Sequence, residues 1–294
     1  MMRALRVASL FVVYAGIGWI GDQAAVLLAD DRARDERRVT RVDVRIDPDI
    51  VVDVEVRTSG ECAFEVERRL SVILDGSLEI AAGAGSLRVE GRDDASEVIA
   101  VGRVCASSRE LLDELVLTAE GVGGDVRLSA HYPDRPRWAD RGGEARIDLV
   151  VTMPVGSPVG IADSSGDMVL SGTGDLRVAD SSGSIEVQGA LGSVRIADSS
   201  GDIVVVGASG DVDISDGSGG IEVRSVAGSV AVQDGSGGIE IAQVGADVRV
   251  VADGSGAIEV RQVAGDFTVA RDGSGGIRYT AVAGRVDVPP DDRR

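Results

Sequence analysis

Between Ile221 and Gln233 apolar and polar positions alternate twice. Ile221 and Val223 flank Glu222, and Val230 and Val232 flank Ala231. Period-2 alternation over such short stretches predicts two small strands, each with one face turned inward. The stretches between them, "DGSGG" and "VAG", are rich in glycine and in residues that tolerate positive φ, and so predict turns. The unit "DGSGGIEVRSVAGSVAVQ" (residues 216–233) is one of seven. Its opening aspartate recurs at Asp163, Asp180, Asp198, Asp216, Asp234, Asp253 and Asp272, in steps of 17, 18, 18, 18, 19 and 19. A second marker, at Gly174, Gly192, Gly210, Gly228, Ala246, Gly265 and Gly284, keeps the same phase. A unit of 18 residues cannot bury its own apolar face, whereas stacked units can share one narrow core of Ile and Val.

These features predict an all-β chain: a parallel β-solenoid (β-helix) of about seven 17–19-residue coils over residues 155–288. The two steps of 19 predict one extra residue in "VRVVAD" (248–253) and one in "FTVARD" (267–272), read as bulges. Pro289 and Pro290, which lack an N–H, are expected to end the ladder, leaving 289–294 as a tail. Ahead of the coils, residues 43–154 read as a β-rich capping region that covers the open end of the stack. Its strands are expected at 43–60, 71–92 and 98–106, a short helix with a serine cap at 107–115, a hairpin at 114–133, and a last strand at 145–154.

The N-terminus changes the compartment. Arg3 and Arg6 precede an apolar run from Val7 to Gly21, and a small-residue segment ends at Ala29. Residues 1–29 therefore read as a signal peptide or an N-terminal membrane anchor, followed by a charged linker at 30–42. Both readings export the rest of the chain. The two cysteines, Cys62 and Cys105, then read most simply as one disulfide, with two buried free thiols as the alternative.

Charge narrows the partners. The chain of 294 residues has 49 acidic and 30 basic side chains, all of the latter Arg, for a net charge of −19. Such a surface is repelled by nucleic acid and by anionic lipid headgroups, so contact with a membrane is expected only through an uncleaved N-terminal segment. Aromatic residues make up 3% of the chain, too few for stacking platforms.

An export signal, a β-rich segment with "GRVC", then "DLVVTMPVGSPV" and coils of the "SGDIVV…GDV" type together resemble the bacterial exported putative-adhesin family, a β-solenoid domain of unknown function. The resemblance spans about residues 60–288. It implies a surface or periplasmic solenoid and supplies no catalytic residues. This sequence departs from the usual pattern by keeping an aspartate at the head of every coil turn.

In a stack, those seven aspartates form a column. Adjacent carboxylates about 5 Å apart repel by roughly 1 kcal/mol in bulk water and more where water is thin. One remedy is an Asx-turn, in which each carboxylate accepts the N–H two residues on, from the repeated Ser165, Ser182, Ser200, Ser218, Ser236, Ser255 and Ser274. The other is a divalent cation, calcium above all, held by Asp163, Asp180, Asp198, Asp216, Asp234, Asp253 and Asp272. The glycine-rich calcium nonapeptide has a different order, GGxGxD, which is absent here. "DSSG" is also one residue too long for the Asp-Ser/Thr-Gly of aspartic proteases. The lone histidine, His131, sits in "HYPDRPRWADRGG" beside Arg135, Arg137, Trp138 and Arg141, read as an exposed connection or a ligand-contact loop.

The functional expectation is a non-enzymatic, adhesin-like or scaffolding envelope protein with an extended acidic surface and no cofactor. Its partner would be an envelope or surface polysaccharide or protein. Two rivals stand beside it: a β-helix carbohydrate-active enzyme using paired aspartates, and a calcium-stabilised structural module.

Overall fold

The computed structural model describes residues 42–47, 50–57, 62–133 and 144–290. The expectations for the signal or anchor, for residues 30–41, for Arg135, Arg137, Trp138 and Arg141, and for residues 291–294 fall outside these.

Two long sheets run the length of the coil stack. Sheet one takes the strand after each "DGSGG" turn: Met168–Ser171, Ile185–Ala190, Ile203–Ala208, Ile221–Val226, Ile239–Val244, Gly256–Val263 and Gly275–Val282. Sheet two takes the strand before it: Val159–Ala162, Leu176–Ala179, Val194–Ala197, Val212–Asp216, Val230–Asp234, Val248–Asp253, Phe267–Val269 and Val286–Asp287. Every pairing among these strands is parallel, and equivalent residues face each other: Ile203 pairs Ile221, which pairs Ile239. The expected bulge at 248–253 is present, because the register between Val230–Asp234 and Val248–Asp253 slips by one residue after Val232.

Each coil points six side chains inward. In the coil that starts at Ile221 these are Ile221, Val223, Val226, Val230 and Val232, each 2% exposed or less, and Asp234 at 4%. The repeat therefore builds five aliphatic columns and one column of carboxyls. Burying each Val or Ile contributes about 1.5–3 kcal/mol, which an 18-residue unit realises only when neighbours cover both of its open sides.

Two corners turn the chain between sheets. At the first, residues with positive φ, +56° to +79°, swing the following side chain into the core, Thr173 in the first coil and Ala or Val in the later ones. Gly172, Gly189 and Gly207 hold this place in early coils, and Ser225, Gln243, Gln262 and Ala281 in later ones. At the second, in the "SG" of each turn, Gly201 has φ +143°, and a Cβ there would lie 1.9 Å from the carbonyl oxygen of Gly183 in the coil below. Backbone packs on backbone at that corner, so only glycine fits.

The parallel ladder continues beyond the seven repeats into the region expected to be only a cap. Leu78–Ala81 and Leu87–Arg92 pair in parallel with Val159–Ala162 and Met168–Ser171 and form a further coil. Its other side is covered by Asp125–His131 and Ala145–Pro154, again in parallel. Past Ala145–Pro154 sheet one becomes antiparallel, through Val98–Ala106, Phe64–Val72, Ile50–Arg57 and Val42–Asp47. Val116–Val122 and Asp125–His131 form the expected hairpin. The helix Arg109–Glu114 starts at Ser108, whose hydroxyl accepts the Leu111 N–H at 3.1 Å. Leu111 packs it onto a second, smaller core with Val66, Val104, Leu115 and Ile147. Beside that core Cys62 and Cys105 form a disulfide.

Candidate functional site

Three places could act on other molecules: the aspartate column, the outer faces of the two sheets, and the His131 segment.

From Asp163 to Asp234 each aspartate follows the last outward residue of its sheet-two strand, so alternation turns it inward; before Asp253 and Asp272 one extra residue interrupts the alternation. Asp163, Asp180, Asp198, Asp216, Asp234 and Asp253 are 3–9% exposed, and Asp272 is half-buried. The Asx-turn expectation holds in its stated form at Asp234, which accepts the Ser236 N–H at 3.1 Å. Asp180 and Asp198 instead take the N–H of the next residue, Ser181 at 2.7 Å and Ser199 at 2.6 Å. Asp163 takes the Gly83 N–H of the neighbouring coil at 2.7 Å. The N–H groups of Gly217 and Ser218 face Asp216 but do not reach hydrogen-bond geometry. The repeated serines serve a different end: Ser182 Oγ donates to the Ser164 carbonyl at 3.2 Å and Ser200 Oγ to that of Ser181 at 3.3 Å, each tying one coil to the next.

Much of the carboxyl surface stays without a partner. One oxygen each of Asp163, Asp180, Asp198, Asp234 and Asp272, and both of Asp216 and Asp253, are buried and unbonded. A buried acceptor left so costs about 1–3 kcal/mol, more when charged. Burial accordingly pushes Asp163 and Asp253 up to about 6, with Asp180 adding to the first and Asp234 and Asp272 to the second. Burial raises Asp180, Asp216 and Asp234 in the same direction. At these five positions burial favours the protonated carboxyl over the carboxylate.

A cation would need several oxygens converging on one point. Among the described residues no group of three or more Asp, Glu, His or Cys side chains converges in that way. Each coil contributes one carboxyl to a line. At the C-terminal end the column opens to solvent in a shallow hollow of about 610 Å³ lined by Asp234, Asp253, Arg271, Asp272 and Pro289.

A second aspartate set was missed by sequence reasoning. Asp175 accepts the Ser193 N–H at 2.9 Å, Asp211 the Ser229 N–H at 2.8 Å, and Asp266 the Arg285 N–H at 2.7 Å. Asp167 and Asp202 do the same before sheet-one strands. Each joins its coil to the next one along the chain. The "GD" dipeptide ahead of many strands was their visible signal.

The two outer faces differ. On sheet one three arginines meet glutamates, Arg88 with Glu90, Arg224 with Glu222, and Arg261 with Glu240 and Glu259, while Arg278 has no ion pair among the described residues. On sheet two one outward column runs Arg127, Glu79, Gly160, Arg177, Arg195 and Asp213, beside a second of Ala81, Ala162, Ala179 and Ala197.

His131 closes its strand with Nε2 3.0 Å from Thr118 Oγ1, on the surface. No serine–carboxylate pair joins it among the described residues. Tyr132, next in sequence, turns its hydroxyl into the coil at Ala84, accepting the N–H groups of Ala84 at 3.1 Å and Ile147 at 3.2 Å and donating to the Ala84 carbonyl.

No protein-family model matches the chain, and no curated protein matches it. Solved structures do. A "putative adhesin" of Bacteroides fragilis is 12% identical, over 77% of this chain and 98% of that one, with a TM-score of 0.43. A "putative lipid binding protein" of Parabacteroides distasonis is 15% identical, over 76% and 97%, also at 0.43. A "putative cell adhesion protein" of Clostridium sporogenes is 12% identical, over 76% and 97%, at 0.28. Likeness at this level does not transfer a function.

Proposed function

We propose that this chain is a non-enzymatic exported scaffold or adhesin that presents the two faces of its coil stack to an envelope or surface polysaccharide or protein. The observation behind this reading is where the carboxyls point. The repeat's signature acids, which a glycan-cleaving β-helix would offer to solvent as acid and base, face into the core. The turns between strands are short, and no long loop rises from either face among the described residues to wall a cleft. The disulfide fits an oxidising compartment. No helix among the described residues is long and apolar enough to cross a membrane.

The aspartate column has a structural role in this proposal: its carboxyls accept turn N–H groups, and calcium is not required. To test the reading, the purified chain is incubated with a panel of plant, algal and bacterial polysaccharides. We expect retention on one or more without turnover. New reducing ends or unsaturated products from any of them would overturn it.

A further inference from the structure

The outer face of sheet two has a feature that folding does not explain. Arg177 and Arg195 are direct neighbours on adjacent parallel strands, a placement in which like charges destabilise a sheet. Arg195 has one exposed partner, Asp213, at 3.4 Å. Arg177 and Arg127 have no ion pair among the described residues, whereas on sheet one Arg88, Arg224 and Arg261 each meet a glutamate and only the terminal coil's Arg278 does not. In a chain of net charge −19, carboxylates were abundant enough to neutralise these positions.

The ground beside them is level. Ala81, Ala162, Ala179 and Ala197 stand in one outward column, and Gly160 interrupts the arginine column. A Cβ at Gly160 would come within 2.3 Å of Glu79 Oε2, so the glycine lets that carboxylate lie flat along the face. Together these residues line a trough of about 390 Å³, with Arg127, Arg177 and Arg195 along it. Three arginines against Glu79 and against Asp213, which pairs with Arg195, leave the strip at +1. It crosses the strands, and Arg127 to Arg195 is four strand steps, about 19 Å.

We propose that this trough binds a linear, carboxylate-bearing polysaccharide laid along the stack axis. This rests on the non-enzymatic binding reading above and names its ligand class. The guanidinium fork takes carboxylates two hydrogen bonds at a time, and the alanine floor, one methyl high, lets a sugar chain approach the sheet. A narrow thread along the column meets three guanidinium groups and two carboxylates, a local excess of positive charge. A broad anionic membrane would also meet the acidic surroundings, so the charge pattern favours the thread.

The test is binding of the full chain to polygalacturonate by titration calorimetry at low and at high salt. Neutral dextran and phosphatidylglycerol vesicles serve as comparison ligands. We expect salt-sensitive binding to polygalacturonate and none to dextran. The variant R177S/R195S should weaken binding by about tenfold or more with the melting temperature unchanged or raised. R224S, on the other face, should bind as the parent does. R177Q alone, with a smaller loss, serves should the double variant fold poorly. The inference is overturned if the parent does not bind polygalacturonate, if R177S/R195S binds as well as the parent, if R224S loses as much, or if the vesicles bind in preference. Cleavage of polygalacturonate would instead overturn the non-enzymatic reading, whatever the arginine variants show.

Discussion

Replacing Asp253 by Asn should make the protein more stable at neutral pH and less sensitive to pH. Asp253 is 3% exposed, has both carboxyl oxygens unbonded, and faces Asp234 and Asp272. Burial and then those neighbours push it from 3.8 up to about 6. A group raised in the folded state holds its proton more tightly there than in the unfolded chain. Its stabilising contribution is therefore complete below about pH 4 and is lost as pH rises through about 6. The raw shift corresponds to about 3 kcal/mol at 1.36 kcal/mol per pH unit. Water reaching the column from the turn side reduces that, and about 1–2 kcal/mol is the magnitude to expect. Asn is neutral, adds an N–H donor toward the next coil, and does not titrate. For a domain of this size the gain is roughly 3–6 °C in melting temperature. Melts of the parent and D253N are compared from pH 4 to pH 8 in EDTA. The difference between them isolates the column from acids such as Asp94 and Asp125, which their hydrogen bonds hold low. The two should melt together near pH 4 and diverge above pH 6, D253N higher. A variant that melts below the parent at pH 8 would refute the reasoning.

Other consequences are as accessible. At Gly201 an added Cβ meets the Gly183 carbonyl oxygen at 1.9 Å, whereas at Gly238 it meets nothing within 4 Å. G201A should accordingly lose about 3 kcal/mol or more and G238A should be near neutral, read from paired denaturant titrations. Reducing the disulfide, which links residues 43 apart, should cost about 4 kcal/mol on the chain-entropy account. The companion variant C62S/C105S should melt roughly 10 °C lower and be indifferent to reductant. Titrating calcium to several millimolar at pH 7.5 should leave the melting temperature where EDTA leaves it. A saturating rise, following RT ln(1 + [L]/Kd), would instead make the column a cation ladder.

The solenoid was legible because its period is written twice, in the aspartates and in the glycines opposite, and because Ile/Val alternation in each unit admits one assignment of faces. The further coil at 78–92 was not. Its "LEIAAGAGSLRVEG" has the same alternation as "VGIADSSGDMVLSG", but Ala82 stands where the others have Asp, and 81 residues separate Gly85 from its equivalent Gly166. A period search finds neighbours along the chain, and this coil's neighbours are distant in it. For the aspartates, sequence reasoning found the column and placed it at a turn. It missed that period-2 counting along the sheet-two strands turns the aspartate side chain into the core from Asp163 to Asp234. Burial, more than the turn, then governs their chemistry. The coil-to-coil clasps of Asp175 and Asp211 needed three-dimensional register to be seen at all.

That displaced coil also sets an order of events. Leu78–Arg92 lies between strands made from residues 125–154 and strands made from residues 159–171. A segment near the start of the chain thus waits, with both apolar edges bare, for partners that follow it by dozens of residues. The Gly83–Asp163 hydrogen bond closes a span of 80. Coils downstream need only an adjacent unit, about 18 residues away, and loop closure at that range comes sooner. The early part of the chain is therefore expected to be the last to settle, and the distal repeats to be the template on which it does so.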